Sequence, residues 1–360
     1  MKEKVAVGLS GGVDSSVSAL LLKKAGYDVV GITMSIWGEQ KELPKSTKNA
    51  CYGPDEQEDI QEAQKICNQL QIPYQVFDCA KKYSEIVLEN FKQEYLSGRT
   101  PNPCIWCNNL VKFGTLPTLA KESGLEFDKF ATGHYARVEY DSSNSRYILK
   151  KAVDEKKDQS YFLYRLTQEQ LSQVLFPLGE LTKEQVRDIA KENSLHVHDK
   201  GESQDFYCGD YNDLLGVKPV QGNIVDKEGN ILGTHNGIWN YTLGQRKGIG
   251  IAYKEPLYVV ALDKCKNQVI VGTEQDTYSR SLIATDLSWI AFKKPESEFV
   301  AEAKIRSTHR QTPVKVNVLD DKTISVEFIE SQKAVTTGQS IVLYDGDIVL
   351  GGGIIDNISG

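Results

Sequence analysis

The sequence predicts an α/β chain: an N-terminal doubly wound parallel sheet, then a small mixed α+β domain, then a C-terminal β-barrel. Three observations carry this. Strand-like and helix-like runs alternate through the first third, the pattern of a parallel sheet with crossover helices. From about residue 210 the runs become short and Gly-punctuated. From residue 281 nearly every run alternates apolar with polar residues, as the half-buried strands of a small barrel do. The boundaries expected from these changes are 1–209, 210–280 and 281–360.

Each element has its own signal. "KVAVGLS" is a first strand, and "SSVSALLLKKAG" a helix with Gly26 past its end, where a left-handed cap is wanted. "YDVVGITM" is a second strand. "DEQEDIQEAQKICNQLQ" is a helix whose acidic first turn suits the helix dipole. "IPYQVFDC" and "KFATGHYA", the latter from Lys129, are further strands. Residues 160–200 form a small helical segment closing this domain. Within it "LTKEQVRDIA" has Thr182 as N-cap, with Val186 and Ile189 on one face. "LYVVALDKCKNQVIVG" is a hairpin, and "AEAKIRSTHR", "VKVNVLDDKTISVEFIE" and "SIVLYDGDIVLGGGII" supply barrel strands.

Composition narrows the class. The chain has 360 residues, 40% hydrophobic and 25% charged, which suits a globular protein of two or three domains. No apolar run approaches a membrane span, and "MKEKVAVGLSGG" lacks a signal-peptide pattern, so a cytoplasmic location is expected and no membrane partner. The net charge of −7 argues against nucleic acid for the chain as a whole and leaves room for a local basic face. Seven irregularly spaced Cys do not read as a disulfide framework. Cys67 and Cys79 lie in apolar patterns and read as buried small hydrophobes.

"GLSGGVDSS", Gly8 to Ser16, lies between a strand and a helix. Successive backbone N–H groups there, with the helix N-terminus, form an anion site. Gly11 and Gly12 let the backbone approach a phosphate, and Ser10, Ser15 and Ser16 add hydroxyls. The string is neither a Walker A loop, since no Lys follows, nor a dinucleotide fingerprint. Asp14 is out of place in an anion site unless it holds Mg²⁺ against the phosphates.

"GRTPNPCIWCNNLVKF" places Cys104 and Cys107 three positions apart, and Cys208 follows far downstream. A redox or thiolate pair, half of a zinc site, or an iron–sulfur site with Cys208 are all compatible with this spacing. Pro101, Pro103 and the polar flanks favour a functional loop over two thiols on a helix.

The nine-residue loop resembles that of the PP-loop ATP pyrophosphatases, which adenylate a carbonyl oxygen. With it, "GRTPNPCIWCNNLVKFG", "ATGHYAR", "KDQSYFLY", "GESQDFYC", "GTHNGIWNYTLGQRKGIGIA", "LYVV" and "AKIR" occur in order. Together they closely resemble the bacterial tRNA-specific 2-thiouridylase family, which thiolates the wobble uridine of Lys-, Glu- and Gln-type tRNAs.

That resemblance implies ATP and Mg²⁺ as cofactors. Gly8, Leu9, Ser10, Gly11, Gly12, Val13, Asp14 and Ser15 would hold the phosphates, with Met34 at the adenine and Gly133 also in the ATP site. It implies Cys107 as nucleophile and Cys208 as persulfide carrier, joined by a disulfide after transfer, with sulfur supplied by a persulfide carrier protein or cysteine desulfurase. Asn102, Pro103 and Cys104 would flank the target base. His134, Lys157, Asp158, Gln159, Arg306, Ser307 and Gln339 would contact tRNA. Family members often carry Asp where this chain has Cys104, an aromatic where it has Ser307, and Pro where it has Thr337. Cys104 opens an alternative in which Cys104, Cys107 and Cys208 ligate a [4Fe–4S] cluster that delivers sulfide. The rival functions are a PP-loop synthetase acting on a small molecule and a tRNA-binding protein with a degenerate ATP site.

Overall fold

The structure, a computed structural model, describes residues 2–38, 50–201, 206–207, 209–293 and 295–359. The first domain opens with β1 (Lys4–Gly8), α1 (Val13–Lys24), β2 (Asp28–Ser35), α2 (Glu56–Leu70) and β3 (Tyr74–Asp78). After a run of short helical segments come β4 (Lys129–Ala131), the antiparallel pair β5 (Ala136–Asp141) and β6 (Arg146–Lys151), and the short β7 (Val174–Leu175). The sheet order is β3-β2-β1-β4-β7 and every pairing is parallel. Strand order therefore reverses direction between β1 and β4, the point where open α/β sheets form a crevice outside their carboxyl ends.

Both faces of this sheet are covered, which is why its central strand reads as an unbroken apolar run. Val5 and Val7 join Val17 and Leu20 of α1 and Val186 and Ala190 of the Lys183–Glu192 helix in one core. Ala6, Val30 and Ile32 face the other way, into a core with Tyr83, Val111, Phe113 and Phe130. Thr182 caps its helix as expected: its side chain accepts from Gln185 N, and Gln185 returns a bond to the cap. Cys67 and Cys79 are buried in these cores.

The middle segment carries β8 (Gly222–Val225), β9 (Ile231–His235), β10 (Tyr258–Asp263) and β11 (Gln268–Gly272), in the order β10-β11-β8-β9. The hairpin expected in "LYVVALDKCKNQVIVG" is β10–β11, with Val259 opposite Val271. The last segment carries β12 (Tyr278–Trp289), β13 (Glu298–Lys304), β14 (Thr312–Asp320), β15 (Thr323–Lys333), β16 (Ser340–Asp345) and β17 (Ile348–Ser359). They pair as β12-β15-β14-β13-β16-β17, and β12 also pairs with β17, closing a six-stranded barrel over Leu282, Val316, Val326 and Phe328.

One feature crosses the expected organisation. The β5–β6 hairpin leaves the first domain and pairs β6 with β17, Leu149 opposite Val349. Arg137 Nη2 and Lys150 Nζ both meet Asp347 Oδ2, at 2.8 and 3.3 Å, and Arg146 Nε donates to Ile290 O at 2.9 Å. The first domain thus extends the barrel's sheet. No helix among the described residues is long and apolar enough to cross a membrane.

Candidate active site

The loop from Leu9 to Gly12 sits at the carboxyl end of β1, at the crevice between β1 and β4. Leu9 and Val13 are buried core residues, so only their backbone is available to a ligand. Gly11 has φ +66°, and a Cβ there would meet Asp59 O at 2.5 Å. Gly12 is the N-cap of α1 and carries no side-chain cap, so the first-turn N–H groups are left for an anion. Ser15 Oγ accepts from Ser10 N at 3.2 Å and lies 3.3 Å from Ser10 Oγ, while Ser16 Oγ donates to Gly12 O at 2.7 Å. Gly133, just past β4, lies against the same turn: a Cβ there would meet Ser15 N at 2.7 Å. Gly8 backs onto Phe130, and Met34 lies half-buried near the end of the adjacent β2.

Sequence reasoning left Asp14 without a partner in the chain. The structure gives it two. Lys183 Nζ donates to both carboxylate oxygens, at 2.7 and 2.9 Å, and the Tyr135 hydroxyl donates to Oδ1 at 2.9 Å. A second lysine, Lys200, donates to Gly11 O at 3.1 Å and Asp59 Oδ1 at 2.7 Å. Both lysines lie far from the loop in sequence. Lys183 had one readable signal, its place at the start of a capped helix; Lys200 had none.

The CxxC segment corrects an expectation. It is helical: Pro103–Trp106 forms a turn of α-helix with Pro103 in its first turn, and Cys107–Thr115 continues it with wider, π-type bonding. Proline suits a first turn because its missing N–H has no partner to lose there. Cys104 and Cys107 therefore stand one turn apart, both half-buried against the core that receives the ends of β2 and β3. Burial pushes the Cys107 thiol up to about 11, Lys112 opposes the shift, and Cys51 adds to it. Cys51 was overlooked in the sequence. Its neighbour Tyr52 donates its N–H to Phe206 O at 3.0 Å. Cys208 lies outside the described residues. Among the described residues, no three His, Cys, Asp or Glu side chains are grouped to hold a metal.

The barrel holds this segment from behind. Gln339 Nε2 donates to Thr100 O and Pro101 O at 3.0 and 3.1 Å, and Thr100 N donates to Thr337 O at 2.9 Å. Arg99 bonds Glu94, Asp356 and Ile355 O. Asn102 is the N-cap of the Cys helix and lies beside Tyr161, whose hydroxyl donates to Ser340 O at 2.8 Å.

The remaining expected residues are scattered over two settings. His134 is 8% exposed, bonded to Thr132 Oγ1 at 2.7 Å and flanked by Phe113 and Phe176; burial, with Lys112 adding to it, holds its imidazole well below the usual range. The Asp158 side chain is only 1% exposed. It accepts from Ala152 N, Ser160 N and Ser160 Oγ and pairs with Lys304 Nζ at 3.6 Å. Gln159 accepts from Tyr135 N, and Lys157 is half-buried beside it. Arg306 and Ser307 are half-buried on the barrel, where Arg306 donates to Ala334 O at 3.4 Å.

Comparison with known proteins agrees with this arrangement. Residues 3–208 match the tRNA methyl transferase HUP domain, 212–273 the tRNA methyl transferase PRC-barrel domain, and 279–355 the aminomethyltransferase beta-barrel domain. The chain is 54% identical to the tRNA-specific 2-thiouridylase MnmA of Endomicrobium trichonymphae over 98% of each chain. It is 45% identical to that of Clostridium botulinum (strain Eklund 17B / Type B) over 99% of each, and 46% identical to that of Geotalea uraniireducens over 99% of this chain and 96% of the relative. With the PP-loop, the CxxC helix and the barrel in one architecture, the chain belongs to the tRNA-specific 2-thiouridylase family.

Proposed function

We propose that the chain is a tRNA-uridine 2-sulfurtransferase, using ATP to activate the C2 oxygen of wobble uridine and replacing that oxygen with sulfur. The observation that carries this is the placement of an uncapped Gly-Ser loop at the sheet's switch point, with the Cys107 helix packed at the ends of the neighbouring strands. An anion cradle and a thiol then serve one substrate.

The uridine C2 oxygen is a poor leaving group. Its attack on the α-phosphorus of ATP forms an O–P bond, expels pyrophosphate and converts it into a good one. The terminal sulfur of a persulfide on Cys208 then attacks C2, and AMP departs with the oxygen. Cys107 Sγ attacks Cys208 Sγ, breaking the S–S bond to the transferred sulfur. This leaves a Cys107–Cys208 disulfide that an external thiol reductant must reduce by two electrons. The target base must leave its stack to reach the site. Asp14 is the loop carboxylate suited to hold Mg²⁺, which would supply charge neutralisation on the phosphates. A persulfide carrier or cysteine desulfurase would load Cys208.

Cys104 beside Cys107 supports a second reading, with Cys104, Cys107 and Cys208 holding an iron–sulfur cluster that presents sulfide. Iron content and a visible charge-transfer band in anaerobically purified protein distinguish the two.

Nucleoside mass spectrometry of tRNA incubated with the chain, ATP, Mg²⁺ and a sulfur source tests the function, and 2-thiouridine is expected. Cys107→Ser should abolish it while tRNA-dependent pyrophosphate release continues. Pyrophosphate release that ignores tRNA would point instead to a small-molecule synthetase and sink the reading.

A further inference from the structure

The loop contains no lysine, yet Lys183 is brought to it from a helix 169 positions beyond Asp14 in the sequence. Its anchor is rigid. Thr182 caps the helix, and Lys183 N donates to Asp154 Oδ2 at 2.9 Å, so the backbone at this position is fixed twice over. Its ammonium is held differently, through the Asp14 carboxylate at 2.7 and 2.9 Å, 5.9 Å from the centre of the Tyr135 ring. The Lys183 side chain is 12% exposed and Asp14 29%. Four methylenes allow the ammonium to turn without moving the helix.

We propose that Lys183 is the triphosphate-binding cation of this loop, exchanging Asp14 for phosphate oxygens when a divalent ion takes the carboxylate. The inference rests on the ATP use proposed above. Asp14 by itself would repel a triphosphate, and Lys183 cancels that charge. A divalent ion on Asp14 outcompetes a monovalent ammonium for the same oxygens, and the released ammonium then meets a more highly charged anion within reach. Tyr135 keeps its hydrogen bond to Asp14 throughout, so the carboxylate stays in place. The two functions of a Walker lysine, charge and reach, come here from a helix start rather than from the loop.

The test is equilibrium dialysis of ATP against the full chain in Mg²⁺ without tRNA, with melting temperature measured in parallel. Lys183→Met should weaken binding roughly ten- to a hundred-fold, the effect of losing one charge-assisted hydrogen bond. Lys183→Arg, which keeps the charge, should retain most of the affinity. If Lys183→Met is poorly folded, the neutral pair Asp14→Asn with Lys183→Met removes both charges together and is compared with Asp14→Asn alone, which loses the carboxylate but keeps the lysine; the pair should bind ATP more weakly than that single variant. Unchanged ATP affinity in Lys183→Met, or a double variant that binds ATP as tightly as Asp14→Asn alone, overturns the proposal and leaves Lys183 a structural partner of Asp14. Absence of ATP binding by the unaltered chain overturns it together with the functional reading. ATP binding that depends on Lys183 in a chain that makes no 2-thiouridine overturns the functional reading alone.

Discussion

Cys107 and His134 are both held neutral by burial, in opposite directions: the thiol is pushed up and the imidazole down. Lys112 lowers both, so it makes the thiol easier to ionise and the imidazole harder to protonate. A thiol titrating near 11 is a poor nucleophile at neutral pH in the free chain, so the attack proposed for Cys107 must pass its proton to the departing 2-thiouridine as the S–S bond breaks. Alkylation of Cys107 by iodoacetamide, followed by peptide mass spectrometry, should be slow at pH 7 and rise steadily with pH towards 11; a plateau by pH 8 would contradict the burial. For His134 the sign runs the other way. Its folded pKa lies below the ordinary 6.5, so the unfolded chain binds the extra proton as pH falls. The stability His134 contributes is therefore complete above 6.5 and declines below it. Denaturant titrations between pH 7 and 5 should show that decline, and His134→Gln should make it shallower.

At the scale of the element, the strand–loop–helix unit works because neighbours leave its backbone uncovered. Gly133→Ala would press a Cβ to 2.7 Å from Ser15 N. Relieving that contact should cost about 1–3 kcal/mol in denaturant unfolding and displace an amide of the anion site, weakening ATP binding. The Cys helix depends on the barrel in the same way. Gln339→Ala leaves the carbonyls of Thr100 and Pro101 without their donor, a loss of about 1–3 kcal/mol. Thiolation should fall with it, because Cys107 loses its fixed start. If thiolation holds while stability drops, Gln339 does not position the Cys helix.

Much of this was readable because the information is local. The loop's glycines, serines and Asp14 lie within nine residues, and the Thr182 cap and its Gln185 lie within four. What was not readable depends on ion pairs and packing between distant segments. Lys183 reaches Asp14 only because its helix shares a core with α1, and Lys200 reaches Gly11 only because the chain turns back over α2. The CxxC segment misled because two prolines look like a loop, whereas Pro103 in a first turn begins a helix.

At the scale of the molecule, the first domain and the barrel are one structure. The β6–β17 pairing, the Asp347 ion pairs and the Tyr161 bond to Ser340 O all cross between them. At the centre lies Asp158 against Lys304, whose side chain is 12% exposed. Lys304 thus faces inward, towards Asp158. Asp158→Ala would leave that ammonium without its carboxylate and should destabilise the chain by about 3–5 kcal/mol. Calorimetry should show a single transition that shifts as a whole; a split into two peaks would show that the halves unfold independently.

The pairing of β6 with β17 also sets an order of events on the ribosome. β6 emerges long before β17, which is made after every other strand described. Until then the hairpin presents an open edge, and β12 lacks the neighbour that closes the barrel. Unpaired edges template association with other chains. The nascent protein therefore carries the open β6 edge through the synthesis of every later strand, gains a second open edge once β12 is made, and has both sealed by the last of these strands.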